Sequence, residues 1–174
     1  SRIDTAFTVI IHSLGSAMAT FTAQNYGANK LDRIRKGLFH TSIIAYIYCI
    51  AVAILFFVFG RHFASLFLKE ASLSTIDLSY TYLMVNSSFY ILLATLVISR
   101  ATLQGMSNNF APTLAGIIEL IMRFFAAMFF SKVAGFTGLC FACPLAWLGS
   151  LFPLVIYLVI AFKDKFAQKT TPPP

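Results

Sequence analysis

The sequence predicts an all-α integral membrane protein, a bundle of about five transmembrane helices. Three observations lead there: 59% of its 174 residues are hydrophobic and only 11% charged, the mean hydropathy is +0.81, and the apolar residues gather into five long stretches. Soluble domains run nearer to about 45–50% apolar and about 25% charged residues. A water-soluble core of this size cannot absorb the excess, so the bilayer must solvate most of the Phe, Leu and Ile side chains.

Crossing about 30 Å of hydrocarbon takes roughly 20 helical residues at about 1.5 Å each. Five segments qualify, residues 3–21, 38–59, 80–99, 111–130 and 138–162, so that residues 1–163 form one transmembrane bundle. The first carries Asp4, His12 and several Ser and Thr residues, which suits a helix facing neighbours or water more than lipid. The second holds the uninterrupted apolar run from Ile50 to Phe59. Residues 61–79 follow, where Phe63, Leu66, Phe67 and Leu68 precede Lys69, Glu70, Ser72, Ser74 and Asp77. This pattern fits a short interfacial amphipathic helix or a loop equally well.

The third segment contains a polar patch of Asn86, Ser87, Ser88 and Tyr90, continued by Thr95, Ser99 and Arg100. In a lipid-bound helix such groups must hydrogen-bond another helix or cavity water. Pro112 stands at the start of the fourth, where a missing N–H costs little. The fifth has a narrow face of small residues, Ala142, Ala146 and Gly149, and two prolines, Pro144 and Pro153, that are expected to bend it. Residues 164–174, ending in Thr170-Thr171-Pro172-Pro173-Pro174, are expected to form a disordered tail.

The net charge of +7 is distributed by topology. Lys30, Arg33, Arg35 and Lys36, offset by Asp32, follow the first span; Arg100 ends the third; Lys163, Lys165 and Lys169, offset by Asp164, follow the fifth. The opposite side holds Arg61, Lys69, Glu70, Asp77 and Lys132, with a much smaller positive excess. The positive-inside rule therefore puts the loop of residues 24–37 and the C-terminus in the cytoplasm, in a multi-pass protein of the plasma (inner) membrane. Cations at span ends, rather than along one polar face, do not make a nucleic-acid surface. The chain opens without Met and without a signal-peptide layout, and is expected to begin inside a larger protein.

Catalytic and metal chemistry find little support. Cys49, Cys140 and Cys143 are odd in number and sit among apolar residues, as packing cysteines do. His12, His40 and His62 fall in separate segments with no carboxylate or Cys at ligand spacing, and no glycine cluster cradles phosphate. Neither an enzyme nor a cofactor or metal site is expected.

Glu119 and Arg123 stand out in the fourth span. They are four residues apart, hence on one helix face, about 12 and 18 Å along from Ala111. Charges at that depth point to function by default. Two readings stay open: a local ion pair in which Glu119 neutralises Arg123, or a proton- or cation-coupling role. Two helix ends also look alike. Gln24, Asn25 and Gly27 close the first segment, and Gln104 and Gly105 close the third, each set able to cap carbonyls, with Gly27 expected in the left-handed conformation.

Ala19-Thr20-Phe21-Thr22-Ala23-Gln24-Asn25-Tyr26-Gly27-Ala28 with Arg33-Ile34-Arg35-Lys36-Gly37 resembles a segment of the multidrug and toxic compound extrusion (MATE) family. Tyr82 to Tyr90 and Arg100 through Leu103-Gln104-Gly105-Met106 resemble that family's tenth span. Glu119-Leu120 with Arg123, and Gly138 to Ala142 with Pro144 to Trp147, resemble the eleventh and twelfth. The resemblance covers the chain up to its tail. It implies the C-terminal half of a twelve-helix, two-lobed secondary exporter, working by alternating access. It also implies coupling to protons or sodium, small cationic or amphipathic substrates, and an N-terminal lobe as partner. Asn86, Tyr90, Arg100, Glu119 and Arg123 are then the candidates for transport and coupling.

Two departures limit what carries over. The N-terminal lobe, where some members place a coupling Asp, is not in this sequence. Some sodium-coupled members have acids on the seventh and tenth spans, yet residues 80–99 contain none, leaving Glu119 and, near the outer end, Asp4. A lipid-linked saccharide flippase of related architecture is the nearest alternative, and a non-transporting packing subunit a more distant one, opposed by polar residues in three spans. The orientation is directly testable. With the native thiols removed, a Lys30→Cys variant in intact cells is expected to resist membrane-impermeant thiol reagents until the cells are permeabilised.

Overall fold

A computed structural model describes residues 2–67 and 73–170. The chain forms six helices in order: α1 Arg2–Gly27, α2 Leu31–Phe67, α3 Leu73–Ser88, α4 Tyr90–Gly105, α5 Phe110–Cys140 and α6 Ala142–Thr170. Four stretches are long and apolar enough to cross a membrane unaided: Ile3–Gly27, Leu31–Phe63, Phe110–Val133 and Gly135–Lys163. The pair Thr75–Ser88 and Tyr90–Gly105 makes a fifth if its 53° bend is one broken span.

That bend corrects the expectation of an unbroken third helix. No Pro or Gly causes it. Instead the Asn86 amide donates to the Tyr82 carbonyl (3.0 Å), and the Ser87 and Ser88 hydroxyls both donate to the Met84 carbonyl (3.2 and 2.8 Å). These side chains compete for carbonyls that the helix ladder would use, and the next amide, of Phe89, tightens onto Asn86 at 3.0 Å. The polar patch thus serves first to re-satisfy the backbone at a break.

Other boundaries shift as well. α2 continues through Arg61 to Phe67, where a separate interfacial helix was one reading, and the exposed Arg61–Asp77 ion pair (3.1 Å) ties its end to α3. Lys69, Glu70 and Ser72 lie outside the described residues. α6 runs to Thr170, so residues 164–170 of the expected tail are helical. They contain no Gly or Pro to stop the helix, and only residues 171–174 lie outside the description. The fourth and fifth spans meet at Gly135, whose φ of +57° a side chain would strain. The break expected near Pro144 falls at Phe141, because a ring at Pro144 cannot donate to the Cys140 carbonyl and crowds it. Pro153 is accommodated inside α6.

Both polar helix ends close alike, though not through Gly27. Asn29 and Ser107 take the left-handed conformation, with φ of 56° and 61°. The next amides reach back five residues, Lys30 to Asn25 (2.8 Å) and Asn108 to Leu103 (2.9 Å), and the amides of Asn29 and Ser107 reach back three, each at 3.0 Å. This is the Schellman closure, which satisfies the last carbonyls of each helix.

α4 is the central helix, packed against α1, α2 and α6 and buried at ten positions from Tyr90 to Gly105. Around it stand large hydrophobics left exposed by the bundle, among them Ile47, Phe57, Phe124, Phe129 and Phe152. Such side chains suit a hydrocarbon solvent rather than water. The α1–α4 crossing is close because two positions lack a Cβ: one added at Gly15 would lie 2.6 Å from Val97 Cγ1, and one at Gly105 2.6 Å from both the Ala19 carbonyl oxygen and Thr22 Cβ.

The nature of each obstructing atom grades the expected damage. Gly105→Ala meets backbone and is expected to cost about 1–3 kcal/mol by overpacking, whereas at Gly15→Ala the Val97 methyl can swing aside and the cost is smaller. Gly27→Ala meets nothing within 4 Å and is expected to be neutral or to stabilise by about 0.5–1 kcal/mol. Melting of the detergent-solubilised protein measures that order.

Candidate functional site

Two polar clusters lie within the helical bundle. In the first, Glu119 of α5 is shared by two guanidiniums. Its Oε1 accepts from Arg123 Nη2 at 2.7 Å, one turn along the same helix, and its Oε2 accepts from Arg100 Nη2 of α4 at 3.0 Å. Glu119 is the most enclosed of the three side chains, 17% exposed against 28% for Arg100 and 46% for Arg123.

The helical spacing produces the Glu119–Arg123 contact by itself. The Arg100 contact is different, since it links two helices and requires their packing. It also draws Arg100 in from the end of the third span: α4 continues to Gly105, which keeps Arg100 inside the helix and turned to the bundle. One formal negative charge faces two positive ones. Arg100 Nε is buried with no hydrogen-bond partner among the described residues.

The second cluster lies just beyond the α3–α4 break. Tyr90, fully buried, donates its phenolic proton to the Asp4 carboxylate of α1, and its carbonyl accepts from the Cys49 thiol of α2 at 3.4 Å. Nearby, Tyr46 of α2 donates to the Thr95 hydroxyl of α4 at 2.9 Å, while Thr95 donates to the Ile91 carbonyl at 2.8 Å. Asn86 is buried, with its amide spent on Tyr82. So Tyr90 joins an ionisable group, whereas Asn86 does not reach either carboxylate.

The bracing residues divide. Asn25 is buried and donates to the Phe21 carbonyl at 2.8 Å, and Gly105 seats the α1–α4 crossing. Gln24 is exposed. Gln104, expected to brace a helix end, instead lines a cavity of about 240 Å³ between α1 and α4, together with His12, Ser16 and Arg100. His12 was passed over because no ligand stands near it in sequence. The residues across the cavity from it, Val97, Arg100, Ala101 and Gln104, come from α4. Asp4 was noticed as an acid, but nothing in the sequence paired it with Tyr90. Among the described residues no group of His, Cys, Asp and Glu could hold a metal ion.

The class defined by this bundle is a multi-pass helical membrane protein that keeps charged side chains inside, the arrangement found in membrane transporters. Comparison with known proteins is more particular. The MatE family model matches residues 1–129, and the chain belongs to that family. It is 28% identical over 157 residues to the probable multidrug resistance protein YoeA of Bacillus subtilis strain 168, a match covering 88% of this chain and 33% of that protein. The fold is that of a solved inward-facing multidrug resistance MATE transporter, with a TM-score of 0.86, 18% identity, and coverage of 98% of this chain and 39% of the other. The chain thus spans about a third of the length of the curated relative it matches.

The shared carboxylate makes an asymmetric stability prediction. Glu119→Gln strips both guanidiniums of their acceptor and is expected to cost on the order of 3 kcal/mol, the penalty of leaving enclosed charge unpaired. Arg123→Gln, removing the most exposed partner, is expected to cost about 1 kcal/mol or less. A double-mutant cycle of Arg100→Gln with Glu119→Gln, read by thermal unfolding, should show coupling, because the two groups touch.

Proposed function

We propose that this chain forms the C-terminal lobe of an ion-coupled multidrug exporter and that Glu119 takes part in coupling. The observation that carries this reading is the Arg100–Glu119–Arg123 network, which joins α4 to α5 at membrane depth. A carboxylate that gains a proton loses its hold on two guanidiniums together. Protonation then favours a packing in which α4 and α5 are untethered, and deprotonation favours the tethered one. Two such states, biased by a proton, are what alternating access requires.

Family membership and the name of the Bacillus relative support multidrug export. In this reading an N-terminal lobe is the partner and small cationic or amphipathic compounds are the substrates. No cofactor takes part beyond the coupling ion, and the chain catalyses no covalent chemistry. A sodium ion would have to displace a guanidinium from Glu119, because both carboxylate oxygens already accept from arginines. The positive excess around residues 30–36 supports a cytoplasmic location for that loop and for the C-terminus.

The test is efflux of a cationic dye by the complete transporter, driven by a proton gradient. Glu119→Gln is expected to lower it at least tenfold at matched expression, while Arg123→Gln retains part of it. Undiminished gradient-driven efflux in Glu119→Gln removes Glu119 from coupling.

A further inference from the structure

A groove between α2 and α6 lies away from both polar clusters. It is a space of about 570 Å³ between the first turns of α2 and the last turns of α6, lined by Arg35, Leu38, Leu158, Val159, Phe162 and Lys163. The two ends of this lining differ in kind. Leu38 opens the apolar stretch of α2, and Lys163 closes the apolar span Gly135–Lys163 of α6, so both cations sit where hydrocarbon gives way to water. The remaining wall is entirely apolar.

We propose that this groove binds an anionic phospholipid, its phosphate held by Arg35 and Lys163 and an acyl chain laid along Leu38, Leu158, Val159 and Phe162. Among the described residues neither cation has a hydrogen-bond or ion-pair partner. Lys30, Arg33 and Lys36 add positive potential around the start of α2 and Lys165 beyond Lys163, against the two acids Asp32 and Asp164. Basic pockets between helices at the headgroup level select anionic lipids in this way.

The apolar wall decides between a lipid and a free phosphate. An inorganic ion would use the cations and leave the wall unsatisfied, whereas a lipid covers both. At helical spacing from Arg35 and Val159 stand exposed Phe39 and Ile43 on α2 and exposed Val155 and Ile156 on α6, an apolar surface suited to lipid. The exposed residues of α1 are mixed, with His12, Ser13, Ser16, Thr20 and Gln24 beside Val9, Ile10 and Phe21, and offer no such paired cations over an apolar wall. The inference is independent of the coupling role of Glu119.

The experiment uses the complete transporter in nanodiscs of phosphatidylcholine doped with a photoactivatable lipid, either phosphatidylglycerol or phosphatidylcholine with the reactive group on the acyl chain. Phosphatidylglycerol is expected to label the α6 peptide containing Leu158 to Phe162 in preference to phosphatidylcholine. An Arg35→Gln/Lys163→Gln double variant is expected to lose that preference roughly thirtyfold, since each of the two cations near the surface contributes about 1 kcal/mol. The charge-keeping Arg35→Lys/Lys163→Arg variant is expected to restore it, and excess glycerol phosphate to leave it unchanged. Equal labelling by the two lipids, a preference that survives the double glutamine variant, or no labelling of this peptide because other helices cover the groove would each overturn the proposal. Competition by glycerol phosphate would reassign the cations to a free phosphate and overturn it too.

Discussion

A backbone N–H or C=O left unpaired in hydrocarbon costs several kcal/mol, and this constraint shapes the chain more than any side-chain contact. It makes every described span helical. It also governs how the helices stop and bend. The α3–α4 break is tolerated because Asn86, Ser87 and Ser88 take up carbonyls around it. Likewise α1 and α4 close with the same pattern of reach-back amides, so that their last carbonyls are not left bare at the membrane edge. Residues that look functional by their polarity are thus partly committed to the main chain.

Between helices, a second constraint operates. Lipid tails are as apolar as the side chains, so burial alone does not drive the helices together, and close backbone approach with a few hydrogen bonds must do so. Gly15 and Gly105 supply the approach between α1 and α4. Ala142 and Ala146 are buried on α6, and Gly149 faces Met122 of α5, so the small-residue face is used within the bundle. Three polar links meet at the centre, Tyr90 to Asp4, Tyr46 to Thr95 and Arg100 to Glu119, while elsewhere Tyr48 of α2 donates to the Phe7 carbonyl of α1 and Arg61 of α2 pairs with Asp77 of α3.

All three central links involve α4, the helix that follows the bend and packs at the centre. α4 therefore connects the Asp4 cluster on one side to the Glu119 cluster on the other. Any rearrangement of α4 about the Phe89 break changes both clusters, whereas a rearrangement of α2 against α6 would alter the basic groove and leave the Glu119 pair intact. The charged interior and the basic groove are separate features of one bundle, held by different helices.

That the chain is a bundle of apolar, membrane-length helices was legible in the sequence because apolar length is a one-dimensional property: a stretch is either long enough to cross the hydrocarbon or it is not. The Glu119–Arg123 contact was legible for the same reason, since one helix's periodicity generates it. What the sequence by itself left undetermined is everything that depends on two helices meeting. The ends of α2 and α6 ran past their expected limits because composition marks the hydrocarbon boundary, not the place where a helix stops. Asn29 rather than Gly27 took the left-handed position because the closing amides, not residue type alone, set which residue turns. Above all, Arg100 read as a boundary cation and became the second partner of Glu119. Only the crossing of α4 and α5 brings that guanidinium to the carboxylate, and a crossing is a property of packed surfaces that no spacing along the chain encodes.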